Sequence, residues 1–97
     1  MGLTIILEDE DGVQVHALNC ELYVSSEDLY DNDFKLLKYV DLFGDTTFNS
    51  LQLDDLLDDL HRMKSLFPNQ SILIQEIMDL AGAAKSKTHT YLKFYGD

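Results

Sequence analysis

Basic residues are scarce in this chain. Seven Lys and Arg stand against eighteen Asp and Glu, giving a formal net charge of −11. That deficit argues against nucleic acid as a direct ligand, because neutralising phosphates takes Lys and Arg. It argues against an anionic membrane surface for the same reason. Cysteine is nearly absent. Cys20 is the single one, so no internal disulfide is expected and a reducing cytosol fits. No apolar run approaches 18 residues, so no membrane-spanning helix is expected. The opening MGLTIILEDEDG has no basic region and no small-residue cleavage site, so no secretory leader is expected. Ile6 stands where N-myristoylation needs Ser or Thr.

Reactive constellations are missing too. His16, His61 and His89 fall on three different predicted elements, and with one cysteine they show no metal-ligand spacing. The acidic loops invite a calcium reading. Placing Gly12 or Gly44 at the sixth loop position, however, puts Leu7 or Tyr39 at the first, where an EF-hand needs a carboxylate. There is no phosphate-binding glycine loop. Ser25, Ser26 and Cys20 lack the signature of an activated nucleophile. The chain is therefore read as non-enzymatic, with no cofactor and no metal.

What is present is a core. The 97 residues are 45% hydrophobic and 10% aromatic, enough for one folded domain spanning residues 1–97. The organising stretch is Phe48 to Phe67, FNSLQLDDLLDDLHRMKSLF. Leu53, Leu56, Leu57, Leu60, Met63 and Phe67 recur at steps of three and four, which predicts an amphipathic helix. Asn49 and Gln52 have capping-box spacing, and Phe48 and Leu53 stand as a hydrophobic staple. Pro68, the sole proline, stops the helix. The outer face of this helix carries Asp54, Asp55, Asp58 and Asp59. Asp54 and Asp58, and Asp55 and Asp59, are like-charge pairs that cost about 0.2–0.5 kcal/mol each. Four Asp in place of Ala cost about 2 kcal/mol more. Arg62, four residues after Asp58, offsets part of this. If the helix instead begins near Leu53, Asp54 and Asp55 fall in its first turn, where the dipole favours them.

Leu3 to Glu8 reads as a strand with both faces fairly apolar, hence a central one. Asp11-Gly12 signals a hairpin, and Val13 to Leu18 returns with Val15 and Ala17 inward. Cys20, Leu22 and Val24 alternate with Glu21 and Tyr23, which fits a further short strand. Ser25 to Asn32 reads as a loop in which Ser25 to Asp28 caps a helical turn. Asp31 or Asn32 then caps a short helix through Phe34, Leu37 and Val40. Gly44, Asp45, Thr46 and Thr47 lead to the main helix. After Pro68, Asn69 caps a second long helix whose apolar residues, Ile72 to Ala84, cover more than half its circumference. Thr88 to Tyr95 is the last strand, with Leu92 and Phe94 inward. The expected fold is α+β: a small antiparallel or mixed sheet, made of an N-terminal hairpin plus a C-terminal strand, with helices packed on one face.

The charge balance leaves two readings open. Acidity aids solubility, or it steers a basic protein partner and speeds its association.

Two segments point further. Gly44 to Gln52, GDTTFNSLQ, and Tyr91 to Asp97, YLKFYGD, resemble a group of small acidic bacterial proteins. That group includes immunity proteins of contact-dependent growth inhibition and related polymorphic toxin systems. The resemblance implies a cytoplasmic protein that binds a cognate toxin C-terminal domain and blocks its active site or substrate surface. It implies that the toxin is a basic nuclease, with tRNA a frequent substrate, and that no catalytic residue carries over. Within that reading two acidic surfaces are candidates for partner binding. One is the helix face of Asp54, Asp55, Asp58 and Asp59. The other is the loop group Glu27, Asp28, Asp31 and Asp33, with Tyr23 and Tyr30 as aromatic anchors. Asp45 and Asp97 are read as structural. An acidic DNA mimic, or an adaptor binding another basic protein, is the alternative function.

Overall fold

The computed structural model describes residues 2–87 and 89–96. Thr88, expected to open the last strand, and Asp97, expected to tie down the chain end, lie outside the described residues. The elements run β1 (Gly2–Asp9), β2 (Gln14–Ala17), β3 (Leu22–Tyr23), α1 (Ser26–Tyr30), a 3-10 turn (Leu37–Tyr39), β4 (Asp45–Phe48), α2 (Leu53–Leu66), a second 3-10 turn (Pro68–Gln70), α3 (Ser71–Lys85) and β5 (Thr90–Tyr95). The fold is α+β, and its five-stranded sheet is antiparallel throughout.

β1 lies inside the sheet as its two-sided apolarity predicts. β2 pairs on one flank and β5 on the other, β4 extends beyond β5, and β3 pairs with the start of β1. Leu3, Ile5 and Leu7 of β1 and Leu92 and Phe94 of β5 are buried in one cluster with Leu53, Leu56, Leu60 and Met63 of α2 and Ile74, Ile77, Ala81 and Ala84 of α3. Both long helices thus cover one face of the sheet. Phe48 meets Phe94 edge-on, ring centroids 5.6 Å apart at 88°, a favourable quadrupole geometry.

The hairpin turn forms where Asp11-Gly12 predicts it. Gly12 has φ +77, a left-handed conformation that glycine adopts without strain. The Asp9 carboxylate accepts from the Asp11 and Val13 N–H groups at 2.9 Å each. A register shift between Leu7 and Glu8 follows, and it corrects the inward residues of β2. His16 stands opposite Leu7, while Ala17 stands opposite Ile6 on the helix-free face, and Val15 is exposed. A one-residue offset flips every side chain to the other face.

Four further expectations change. Asp45 to Phe48 is strand β4, not a connection. Its pairing with β5 supplies the backbone partners that local sequence could not reveal. The short helix expected through Phe34 and Val40 shrinks to the 3-10 turn Leu37–Tyr39, whose flanking residue offers no side-chain cap. Asn69 does not cap α3; it sits within the second 3-10 turn. The start of α2 falls at Leu53. Gln52 does reach back to the Asn49 N–H at 3.0 Å, but the Asn49 side chain accepts from Leu51 instead of Gln52. The result is a turn and not the first helical residues. Asp54 and Asp55 consequently occupy the first turn of α2, where the dipole offsets part of their mutual repulsion.

Candidate functional site

The acidic residues on α2 do not share one environment. Asp54 pairs with Lys85 of α3. Asp55 and Asp58 share Lys35, at 3.4 and 3.1 Å. Hydrogen bonds to Asp58 and Asp55 hold the Lys35 ammonium above the ordinary lysine range. Asp59 is not on the outer face, which corrects its placement there: it is 1% exposed. Its Oδ1 accepts from the Lys35 N–H at 2.9 Å, and its Oδ2 accepts from the Leu36 and Leu37 N–H groups at 2.7 and 3.1 Å. These are the N–H groups that open the Leu37–Tyr39 turn, so Asp59 is a cap supplied from a remote helix. Arg62 also departs from its expected role. It donates to the Asn32 and Asp33 carbonyls at 2.6 and 3.2 Å and lies over the Phe34 ring. The main helix therefore uses its charges to hold residues 32–37 in place. Little of that face remains as uncompensated negative charge.

The second candidate surface is different. Ser25 caps α1 in a reciprocal box: its hydroxyl accepts from Asp28 N–H at 3.2 Å, and the Asp28 carboxylate accepts from Ser25 N–H at 2.8 Å. That box fixes a five-residue helix whose Leu29 is buried, leaving Glu27 and Tyr30 exposed. Asp31 and Asp33 follow, both exposed, with Asp33 at φ +54. Among the described residues, none of Glu27, Asp28, Asp31 and Asp33 takes part in an ion pair. Sequence carries a signal for this that whole-chain composition conceals. No Lys or Arg occurs before Lys35, so α1 and the chain before it carry no basic residue of their own, and the nearby cations, Arg62 and Lys38, come from later segments.

Aromatic side chains separate into two places. Tyr23 exchanges two hydrogen bonds with the Gln70 amide through its backbone, each 2.9 Å. It donates from its hydroxyl to Glu21 and lines a cleft with Cys20, Pro68 and Ile72. Tyr30 lies elsewhere. With Tyr39 and Phe43 it lines a cleft of ≈350 Å³ between α1 and the segment from Lys38 to Phe43. These three rings are 59%, 66% and 75% exposed. Tyr39 and Phe43 were missed by the sequence reading. Their signal was that they fall off the Leu37 and Val40 spacing, in a segment too short to bury a second face.

The loop that carries Phe43 is fastened from both ends. Asp41 Oδ1 accepts from the Phe43 N–H at 2.9 Å, and Asp41 N–H donates to the Thr46 hydroxyl at 2.9 Å. Gly96 N–H donates to the Gly44 carbonyl at 2.7 Å. A Cβ on Gly96 would overlap the Leu42 backbone, so the residue type there permits the close approach. Gly44 to Gln52 and Tyr91 to Gly96 thus meet across the β4–β5 ladder. Asp45 faces Lys93, at 3.8 Å, within that ladder.

Among the described residues no three His, Cys, Asp or Glu side chains converge as metal ligands would, and no helix is long and apolar enough to cross a membrane. His89 Nδ1 lies 3.5 Å from Glu10 Oε2, and His16 lines a shallow cleft beside Glu76 and Asp79. No family model matches the chain, and no curated protein or solved structure matches it either.

Proposed function

We propose that this chain is an immunity protein that binds a basic toxin domain, a nuclease acting on RNA, and covers its active site or substrate surface. One observation carries the reading. The surface around α1 combines four carboxylates, none of which forms an ion pair among the described residues although Arg62 and Lys38 stand nearby, with aromatic rings that stand out from the fold. Water-exposed aromatics with polar and charged residues around them are the composition of a protein-binding patch. A nuclease cleft must be basic to hold its substrate, so an acidic surface fits it by charge complementarity.

Of the two acidic candidates, the α1 surface with Glu27, Asp31 and Asp33 is the interface. Asp54, Asp55 and Asp58 are partly neutralised by Lys85 and Lys35, and Asp59 is consumed in the fold. The same pairing disfavours a DNA mimic, which needs an uninterrupted row of free carboxylates along its length.

The reading expects an effector gene beside this one, and the test is co-expression with that effector's C-terminal domain. Restored growth and a 1:1 complex support the reading. Undiminished toxicity with both chains expressed and folded overturns it.

A further inference from the structure

We infer that the cleft formed by Tyr30, Tyr39 and Phe43 receives an arginine side chain from the basic partner. The inference rests on the proposal of a basic partner and names the contact that anchors it.

The aromatic lining of the cleft suits a guanidinium. Aromatic faces attract cations through their quadrupole, and arginine adds planar stacking and a weakly hydrated head. The protein already shows the affinity: Lys38 places its own ammonium 5.3 Å from the centre of the Tyr39 ring. No cation stands over Tyr30 or Phe43 among the described residues, so those two faces are unused. Asp41 also lines the cleft. Its Oδ1 is engaged by the Phe43 N–H and its Oδ2 lies against Gly44, so Asp41 contributes negative charge at the cleft wall that offsets the Lys38 ammonium lining the same cleft. A volume of ≈350 Å³ has ample room for one long side chain. Beyond the lining, where Lys38 and Asp41 offset each other, Glu27 of α1 and Asp31 just after it form no ion pair among the described residues.

The alternatives fit less well. A purely apolar anchor would gain nothing from the quadrupole of the exposed ring faces. A lysine would reach the same place, but it is a compact, strongly hydrated point charge that stacks poorly.

The test uses the full chain and three capped tetrapeptides, Gly-Arg-Arg-Gly and its lysine and norleucine counterparts, titrated while the ring and backbone NMR signals are followed. Saturable shifts of the Tyr30, Tyr39 and Phe43 rings with the arginine peptide are expected, with the lysine peptide about two- to five-fold weaker. Tyr30→Ala and Phe43→Ala should each weaken arginine binding by a similar factor. Lys38→Gln should strengthen it, since it removes a competing cation, and Asp54→Asn should leave it unchanged. Arginine-peptide shifts confined to other carboxylates, with the rings unmoved, would overturn the inference while leaving a basic partner intact. Equal response to the lysine or norleucine peptide would also overturn it. Absence of binding anywhere to either cationic peptide would remove this inference and the charge argument beneath the proposed function together.

Discussion

Asp59 and Leu37 are 22 residues apart in the chain and are joined by a hydrogen bond of 3.1 Å from the Leu37 N–H to Asp59 Oδ2. Through that bond and its two neighbours, helix α2 determines where the Leu37–Tyr39 turn begins, and hence where Tyr39 and Phe43 stand.

Removing the carboxylate should therefore cost far more than removing a surface charge. Asp59→Ala leaves three buried or half-buried N–H groups unpaired, a loss of about 2–4 kcal/mol. Asp59→Asn should recover part of the loss, because its amide oxygen can take the place of Oδ2 and accept from Leu36 and Leu37, while its nitrogen cannot accept from Lys35. Urea unfolding of the two variants checks this. A loss below about 0.5 kcal/mol for either would show that water replaces the carboxylate.

Gly96 should tolerate no side chain. Gly96→Ala drives a methyl group into the Leu42 backbone, which must move and carry Phe43 with it. We expect destabilisation of about 1–3 kcal/mol, the usual cost of forcing extra volume into a packed site. Altered amide shifts for Asp41 to Gly44 should accompany it. Unchanged shifts there would show that the loop and the end of β5 are independent.

Lys35 gives a pH dependence of known sign. Asp58 and Asp55 raise its folded pKa above the ordinary 10.5. A group whose pKa is raised on folding contributes stability at pH values below its unfolded pKa, and that contribution is lost as pH rises through the folded value. The stability difference between the parent chain and Lys35→Gln should thus be constant near neutrality and shrink above about pH 10.4. It should also fall with added salt, since both partners are exposed. The Lys35 Cε chemical shift, followed by NMR, should titrate above the ordinary lysine value. A midpoint at or below that value would contradict the geometry.

Charge reversal should separate the two acidic surfaces. Glu27→Lys with Asp31→Lys should slow association with a basic toxin domain by roughly ten-fold or more at low salt, with a smaller effect on dissociation. Asp55→Lys should have a weaker effect on association, because Lys35 already neutralises its neighbourhood. Stopped-flow association at two salt concentrations checks both. Equal slowing by the two changes would make the whole acidic field, and not the α1 surface, responsible.

Those expectations depend on features of unequal legibility. The buried stripes of α2 and β5 could be read from spacing: Leu53, Leu56, Leu60, Met63, Leu92 and Phe94 are all fully buried. The capping box at Ser25 and the glycine turn at Gly12 could be read from residue types, because their partners lie within four positions. β4 could not, since Asp45 to Phe48 offers little alternation and becomes a strand only because β5 lies beside it. Asp59 could not either. Helical phase sets it at the edge of the buried stripe, three residues after Leu56 and four before Met63, but its neighbours Asp54, Asp55 and Asp58 have the same chemistry and its own partners, Lys35 to Leu37, lie more than 20 residues away.

By itself, then, the sequence determined the α+β class, the central place of β1, the buried side of each long element and the surplus of negative charge. Those are consequences of residue type and of periods of two and 3.6, which act over a few positions. Only the tertiary structure decided which carboxylates are left without an ion-pair partner among the described residues. Whether an aspartate pairs with a lysine, caps a distant turn or faces water depends on what the chain brings against it from 20 or more residues away. No local pattern encodes that.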